Sequence, residues 1–429
     1  MTTRILHIDL DAFFVEVCRH QNPELCEVDL LVVGGRRDQR GVVQSASYGA
    51  RRFGIASGMP IAQAVRLCPE ATFVQGEFKH YRAASKAVRR ILQEYSPVVV
   101  MASLDEAYLD FSGTDRLHPG SLLPVAEEIR NAVKQETGLD ASIGIGPNRM
   151  IAKIASEMAK PRGLLEVRSG WEKGFMAGLP LRAIPGIGPK AAQRLTGLGL
   201  TDVHQIQELD LTALERLVHP DQAKLLKLRA HGYGGVALRN SRMPKSVSRE
   251  ATLSTDVTDR DRLEGRLELM TARVAAALRA DALMARTVTL KLRHGDFRTV
   301  TRQRTFRVPT DLDREMWEAV RGLFRAAFGE VERRGKGVRL IGVAATNLAP
   351  AAPADLFEPP DRQRLRTLTT AVDRARSKYG FNAVTPGSQL RTRLASGGEG
   401  EASTATPPAR TPSSGAGARP ANRSPSARI

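Results

Sequence analysis

The sequence predicts a multidomain α+β protein, and three observations carry that reading. Between residues 4 and 146, strand-like and helix-like runs alternate in the order β–α–β–β–α–β. That order is the pattern of a ferredoxin-like sheet with helices on one side, here interrupted after its first strand by a small inserted unit. From Pro180 to about Gly235 the chain changes to short helices and glycine turns, and beyond a polar linker it returns to strands of period two. At 429 residues the length itself suggests about three domains.

The first strand, Arg4 to Asp11, is apolar with its polar residues gathered at its C-terminal end. Ala12 to His20 has helical spacing. Asp29–Gly34 and Gly41–Ser47 read as a strand pair around the basic turn from Gly35 to Arg40. Tyr48 begins a short helix in which Tyr48 and Arg51, three residues apart, share one face. Phe78 to Tyr95 is an amphipathic helix, and a hairpin over residues 98–111 follows. Pro124–Glu136 is a further helix and Ala141–Gly146 a short strand. From Asn148 to Lys160 runs a helix stopped by Pro161, with Lys153 and Lys160 a heptad apart on nearly the same face.

In the helical region, Ile184-Pro185-Gly186-Ile187-Gly188-Pro189-Lys190 lets the backbone turn sharply just before a helix. Exposed N–H groups there would bind phosphate, and basic Lys190 and Arg194 follow; the alternative is a plain packing turn. Farther on, Val288, Leu290 and Leu292 alternate with Lys291 and Arg293, one face for a core and one for an anion. Arg298, Arg302, Arg304 and Arg339 on the following strands extend this basic surface, which suits a DNA backbone as well as water. Beyond Ser396 the small polar residues with Pro408 and Pro412 cannot bury a core, and a disordered tail is expected.

Lys and Arg number 64 against 46 Asp and Glu, a net charge of +18, so a polyanion is the expected partner. Aromatics make up only 5%, which favours duplex gripped through phosphates over stacking on single strands. Cys18, Cys26 and Cys68 are odd in number and lack CxxC spacing, so neither a disulfide framework nor a zinc site is suggested, and a reducing, cytoplasmic setting is expected. No apolar run is long enough to span a bilayer and no leader pattern precedes the first strand, so no membrane attachment is expected.

Chemistry centres on Ser103-Leu104-Asp105-Glu106-Ala107, at a bend between two strands. Acids at a hairpin tip are often only turn formers. With Asp9, however, they make three carboxylates on neighbouring strands, and like charges gather only around a cation. Oxygen ligands alone point to Mg2+ or Mn2+, and two such ions suit phosphoryl transfer.

The segments Ile8-Asp9-Leu10-Asp11-Ala12-Phe13-Phe14, Ser45 to Gly54, Ser103 to Asp110, Ala152-Lys153-Ile154-Ala155-Ser156 and Ile184 to Gly188 resemble, in that order, the Y-family translesion DNA polymerases of the DNA polymerase IV branch. The likeness runs from about Arg4 to about Asn347. It implies a right-hand polymerase with a ferredoxin-like palm (residues 1–10 and 76–165) and small fingers (11–75). A helix-hairpin-helix thumb (166–238), a linker (239–245), an α+β little finger (246–348), a clamp-peptide region with C-terminal extension (349–395) and the tail (396–429) complete it. It further implies low-fidelity, template-directed addition of deoxynucleotides to a primer 3′-hydroxyl. Asp9, Asp105, Glu106 and the Leu10 carbonyl would hold two Mg2+ ions, with Mn2+ as a substitute. Phe13, Phe14, Tyr48, Arg51 and Lys160 match nucleotide-binding positions, Phe14 as a steric gate against the 2′-hydroxyl. On sequence alone the Phe-Phe pair also reads as core, and Lys160 as a lysine complementing a helix dipole. Gly186, Gly188, Lys190, Lys291, Arg293, Arg302, Arg304 and Arg339 would meet primer-template DNA, and a monomer is expected.

Two segments depart from the family's pattern. After the gate such proteins usually carry a small residue and then Ser-Val-Glu, whereas here Val15-Glu16-Val17-Cys18 stands, which bears on the packing beneath the gate. A sliding-clamp peptide of the form Gln-Leu-x-Leu-Phe is reduced to its Leu356-Phe357 anchor, which would weaken clamp binding. Two other functions compete: a non-catalytic Y-family adaptor for DNA and clamp, and another palm enzyme such as a nucleotidyl cyclase. The complete acidic trio opposes the first, and the hairpin with its basic C-terminal domain opposes the second.

Overall fold

The computed structural model describes residues 3–238, 243–351, 359–385 and 387. The chain forms two compact units, residues 1–240 and 241–429, dividing inside the expected linker.

The first unit is built on β1 (Ile5–Leu10), which all else in its sheet flanks. After β1 come α1 (Phe13–Gln21), β2 (Leu31–Gly34), β3 (Val43–Ala46), α2 (Tyr48–Arg51), α3 (Ile61–Leu67) and β4 (Thr72–Val74). Strands β2 to β4 form a small sheet of their own, in the order β3-β2-β4. The chain then supplies α4 (Phe78–Tyr95), β5 (Val99–Met101), β6 (Glu106–Asp110), α5 (Leu123–Thr137), β7 (Ala141–Gly146), α6 (Arg149–Met158) and β8 (Leu164–Glu166). The main sheet has the order β5-β6-β1-β7-β8, a ferredoxin-like arrangement extended by one strand.

All six residues of β1 are buried because both faces of the sheet are covered. Successive side chains of a strand face opposite ways. Leu6, Ile8 and Leu10 enter a core with Tyr81, Val88 and Ile91 of α4 and with Ile129 and Val133 of α5. Ile5 packs instead with Tyr108 and Ala152, and His7 meets Ser156. Helices were expected on one side only; α6 covers the other. Its close approach needs Gly144, where a Cβ would collide with the Ala152 carbonyl. The acids at the end of β1 therefore face a helix rather than open water.

Beyond β8 the unit continues as α7 (Glu172–Ala177), α8 (Pro189–Gly197), α9 (Val203–Glu208), α10 (Leu211–Leu217) and α11 (Pro220–Ala230). These short helices share a core with Ile151 and Ile154 of α6. Asn148 caps α6, accepting from the Ile151 N–H, and donates to the Gly232 carbonyl at 2.8 Å. The cap thereby ties the helical region to the sheet.

The second unit contains β9 (Ser246–Val257), α12 (Arg260–Ala280), β10 (Leu283–His294), β11 (Thr299–Thr310), α13 (Asp313–Arg334), β12 (Val338–Pro350) and α14 (Pro360–Tyr379). Its antiparallel sheet runs β11-β10-β12-β9. Val288, Leu290 and Leu292 bury their side chains with Leu267 and Leu278 of α12 and with Met316 and Phe324 of α13, as the alternation predicts. Helix α14 was not anticipated. It docks through ion pairs: Asp373 with Arg279 at 2.6 Å, Arg376 with Asp313 at 3.1 Å and Arg362 with Glu315 at 2.9 Å. Among the described residues no helix is long and apolar enough to cross a membrane.

Candidate active site

Asp9 is register partner to Glu106 across the antiparallel pair β1–β6. Directly opposed residues leave a sheet on the same side, with Cβ atoms about 5 Å apart, so these two acids stand together on the face toward α6. Asp105 precedes β6 in a turn that β1 pins: the Leu10 N–H donates to the Asp105 carbonyl at 2.9 Å. Within that turn Ser103 Oγ donates to Asp105 Oδ1 at 2.5 Å and accepts from the Glu106 N–H at 3.0 Å. The bend expected between the strands is thus present, and a serine holds its shape.

Each acid has a partner of its own. Lys160 Nζ lies 2.9 Å from Asp9 and 2.6 Å from Glu157. Lys153 Nζ lies 2.5 Å from Glu106. The two lysines thus serve different carboxylates, and Lys160 lies beyond the end of α6 rather than on its face. His7, fully buried, places Nδ1 2.6 Å from Ser156 Oγ and Nε2 3.8 Å from Glu106. Among the described residues, however, no group of three or more His, Cys, Asp or Glu side chains is gathered to hold a metal ion.

The electrostatics nevertheless suit a cation. Burial pushes the Asp9 carboxyl up to about 7, with Glu106 and Asp105 adding to the shift and Lys160 opposing it. Glu106 is held down to about 2 by His7 and, against the effect of its burial, by Lys153. Burial also lowers the pKa of His7, keeping it neutral, so Lys153 is the firm charge partner of Glu106. Three hard oxygen donors, one of them kept from ionising freely by burial and its acidic neighbours, match a divalent ion such as Mg2+.

Around this trio stand the residues expected to meet a nucleotide. Phe14 is half-buried, its ring set edge-on against Tyr81 at 4.7 Å between centroids. Phe13 is only 1% exposed and belongs to the core. Of the pair, then, Phe13 packs as core, the other reading the sequence allowed, and Phe14 keeps a partly exposed ring. Beneath it Cys18, at the position of the displaced acid, has Sγ 3.2 Å from the Tyr81 hydroxyl. Tyr48 is exposed, its hydroxyl donates to Asp11 Oδ1 at 3.3 Å, and the Arg51 guanidinium lies over its ring at 5.0 Å. Burial and Asp11 together push the Tyr48 hydroxyl up to about 12. Sequence reasoning assigned no role to Asp11, Lys153 or His7. The clustering of polar residues at the end of β1 was the available signal for Asp11.

Comparison with known proteins decides the family. The impB/mucB/samB family matches residues 8–157 and its C-terminal domain matches residues 244–356. A DNA polymerase IV of Dehalococcoides mccartyi is 38% identical over 391 residues, covering 91% of this chain and 98% of that protein. One of Caulobacter vibrioides is 35% identical, covering 91% and 95%. The chain is a Y-family DNA polymerase of the DNA polymerase IV branch. Solved structures agree. A Y-family polymerase chimera of Dbh and Dpo4 superposes with a TM-score of 0.70 at 25% identity, covering 81% of this chain and 99% of that one. An insertion ternary complex of Dbh DNA polymerase gives 0.57, covering 81% and 100%.

In this Y-family polymerase the hairpin from Ile184 to Gly188 is pinned by buried Ile184 and Ile187. Gly186 adopts φ 94° and the Arg229 guanidinium donates to the adjacent Pro185 carbonyl. Gly188 precedes α8, on which Lys190 is exposed. The cations of the second unit are less uniform than the alternation implies. Lys291 donates to both oxygens of Glu250 at 3.0 and 2.8 Å. Lys291, Gly342 and Glu250 form one row across β10, β12 and β9, and a Cβ on Gly342 would crowd Glu250. The bare glycine lets the ion pair reach across β12.

Register also separates the arginines. Arg302 opposes Leu290 and Arg304 opposes Val288, so both leave edge strand β11 on the side of the buried leucines, opposite to Lys291 and Arg293. The single basic face expected from the sequence is therefore two. Arg293 donates to Thr299 Oγ1 at 2.8 Å and Arg339 stacks over Phe297 at 4.5 Å. Leu356 and Phe357, the expected clamp anchor, lie outside the described residues.

Proposed function

We propose that Asp9, Asp105 and Glu106, with the Leu10 backbone carbonyl, form the centre at which this polymerase joins a deoxynucleotide to a primer 3′-hydroxyl. The chain is a DNA-directed DNA polymerase of the translesion class, and its nucleotidyl transfer depends on divalent metal. Its partners are DNA and deoxynucleoside triphosphates. The observation that carries the site assignment is the register pairing of Asp9 with Glu106, beside the Asp105 turn that β1 itself holds.

Those residues would hold two Mg2+ ions, or Mn2+ in their place. Bound there, the ions supply charge neutralisation and activation of the primer hydroxyl. Asp9 and Asp105 would hold the metal, and Glu106 would matter chiefly to activation of the primer hydroxyl. Lys160 and Arg51 bring fixed positive charge to the triphosphate, and Tyr48 lines its site. Phe14 lies under the sugar and excludes a 2′-hydroxyl sterically. The hairpin at Gly186 and Gly188 with Lys190, and the cations of the second unit, grip phosphates without reading sequence. Residues 1–10 and 76–165 act as palm, 11–75 as fingers, 166–238 as thumb and 246–348 as little finger. The protein works as a monomer, and Leu356 with Phe357 gives it at most a weak hold on a sliding clamp.

A primer-template extension assay with separate ribo- and deoxynucleotide pools, in Mg2+ and in Mn2+, tests this. Template-directed incorporation from the deoxynucleotide pool is expected with either ion. Equal use of both pools would remove the gate, and absence of template direction would remove the function. A non-catalytic adaptor is not favoured, because the whole acidic trio is present.

A further inference from the structure

We propose that Asp11 is a positioning residue for the incoming triphosphate, fixing Tyr48 and the segment that follows Lys160 from one buried carboxylate. The inference rests on Tyr48 and Lys160 being triphosphate contacts. Asp11 lies just past β1, two residues beyond Asp9, and is only 4% exposed. It takes no part in the acidic trio. Its Oδ1 accepts from the Tyr48 hydroxyl at 3.3 Å and from Ser142 Oγ at 3.0 Å. Its Oδ2 accepts from the Arg162 N–H at 2.8 Å and again from Ser142 Oγ at 3.0 Å.

These donors come from three separate parts of the chain: α2, β7 and the turn after Lys160. All are neutral. Burying an ionised carboxylate without a cation is costly, and an apolar residue would fill the space without that cost. What the carboxylate adds is acceptor capacity: its two oxygens offer several lone pairs and no donor, so converging O–H and N–H groups can all be satisfied at once. The Arg162 backbone shows the constraint directly. Arg162 sits at φ 56°, a left-handed conformation unusual for a residue with a side chain. Its N–H is anchored to Asp11 and it lies only two residues after Lys160. Tyr48 is held twice, by Asp11 at the hydroxyl and by Arg51 over the ring.

The test measures KM for a single correct deoxynucleotide, kcat, and primer-template affinity for Asp11→Asn, Ser142→Ala, Tyr48→Phe, Lys160→Ala and the Asp11→Asn/Tyr48→Phe double variant. Asparagine keeps the shape but turns one acceptor into a donor facing donors. KM is expected to rise about tenfold in Asp11→Asn and about threefold in Ser142→Ala, with DNA affinity unchanged. The double variant should be little worse than the poorer single one, because Asp11 acts partly through Tyr48. Unchanged KM in Asp11→Asn, or an effect that simply multiplies with that of Tyr48→Phe, would overturn the proposal. Should Asp11→Asn fail to fold, unchanged KM in Ser142→Ala does so instead. If Tyr48→Phe and Lys160→Ala themselves leave KM unchanged, the triphosphate assignment falls. If they raise KM while Asp11→Asn and Ser142→Ala do not, only the role of Asp11 falls.

Discussion

Phe13 and Phe14 show how little separates a core residue from the one proposed as a steric gate. Phe13 is sealed in the core, whereas Phe14 keeps an accessible edge and rests on Tyr81. Phe14→Ala is therefore expected to raise the ratio of ribonucleotide to deoxynucleotide incorporation by at least about tenfold; an unchanged ratio in competition assays would remove the gate. The support beneath Phe14 is particular to this chain, because Cys18 holds the Tyr81 hydroxyl. Cys18→Ala leaves that hydroxyl without its partner, and a smaller shift of the same ratio, about two- to fivefold, is expected. The three acids could be singled out in the sequence because they sit in compact motifs. The partners of Glu106 and of Asp11 could not. Lys153 lies 47 positions from Glu106 and Ser142 lies 131 from Asp11, and nothing local announces contacts of that range.

At the scale of elements, strand and helix positions followed from periodicity, and Phe78–Tyr95 and Ala141–Gly146 coincide with α4 and β7. What periodicity does not carry is which way an element faces its neighbours. Helix α6 lies on the sheet face opposite to α4 and α5, set by its crossover between parallel β7 and β8, and Arg302 and Arg304 leave β11 on the side opposite to Lys291, set by register. Gly342 was the readable hint, since a glycine inside a central strand often marks close approach. Helices α12 and α13 are joined by Glu264, 3.2 Å from Arg321 and 3.0 Å from Arg325. Burial alone would raise its pKa, but Arg325 and Arg321 hold it below the ordinary 4.5. A carboxylate lowered in the folded state stabilises it above the unfolded value, and the contribution disappears as pH falls through the folded one. Glu264→Gln should cost about 1 kcal/mol at neutral pH. In thermal denaturation of the full chain its deficit should shrink as pH falls below 4.5 and through the lower folded-state value; a deficit independent of pH would contradict the ion-pair account.

For the whole molecule the dominant quantity is the net charge of +18. A grip made mostly to phosphates releases counterions, so DNA affinity should fall roughly a thousandfold between about 50 and about 200 mM salt. A flat dependence in binding titrations would show that the charge serves something else. Composition and the five ordered motifs made the family and its activity readable before any geometry, whereas the division of cations between two faces of the second unit needed the fold. The central claim is that the pair on β1 and β6, with the turn before it, is where synthesis occurs. Single-turnover primer extension by Asp105→Ala and Glu106→Ala measures this most directly. Loss of synthesis by about a thousandfold or more is expected, with primer-template binding retained; undiminished synthesis by either variant would contradict the account.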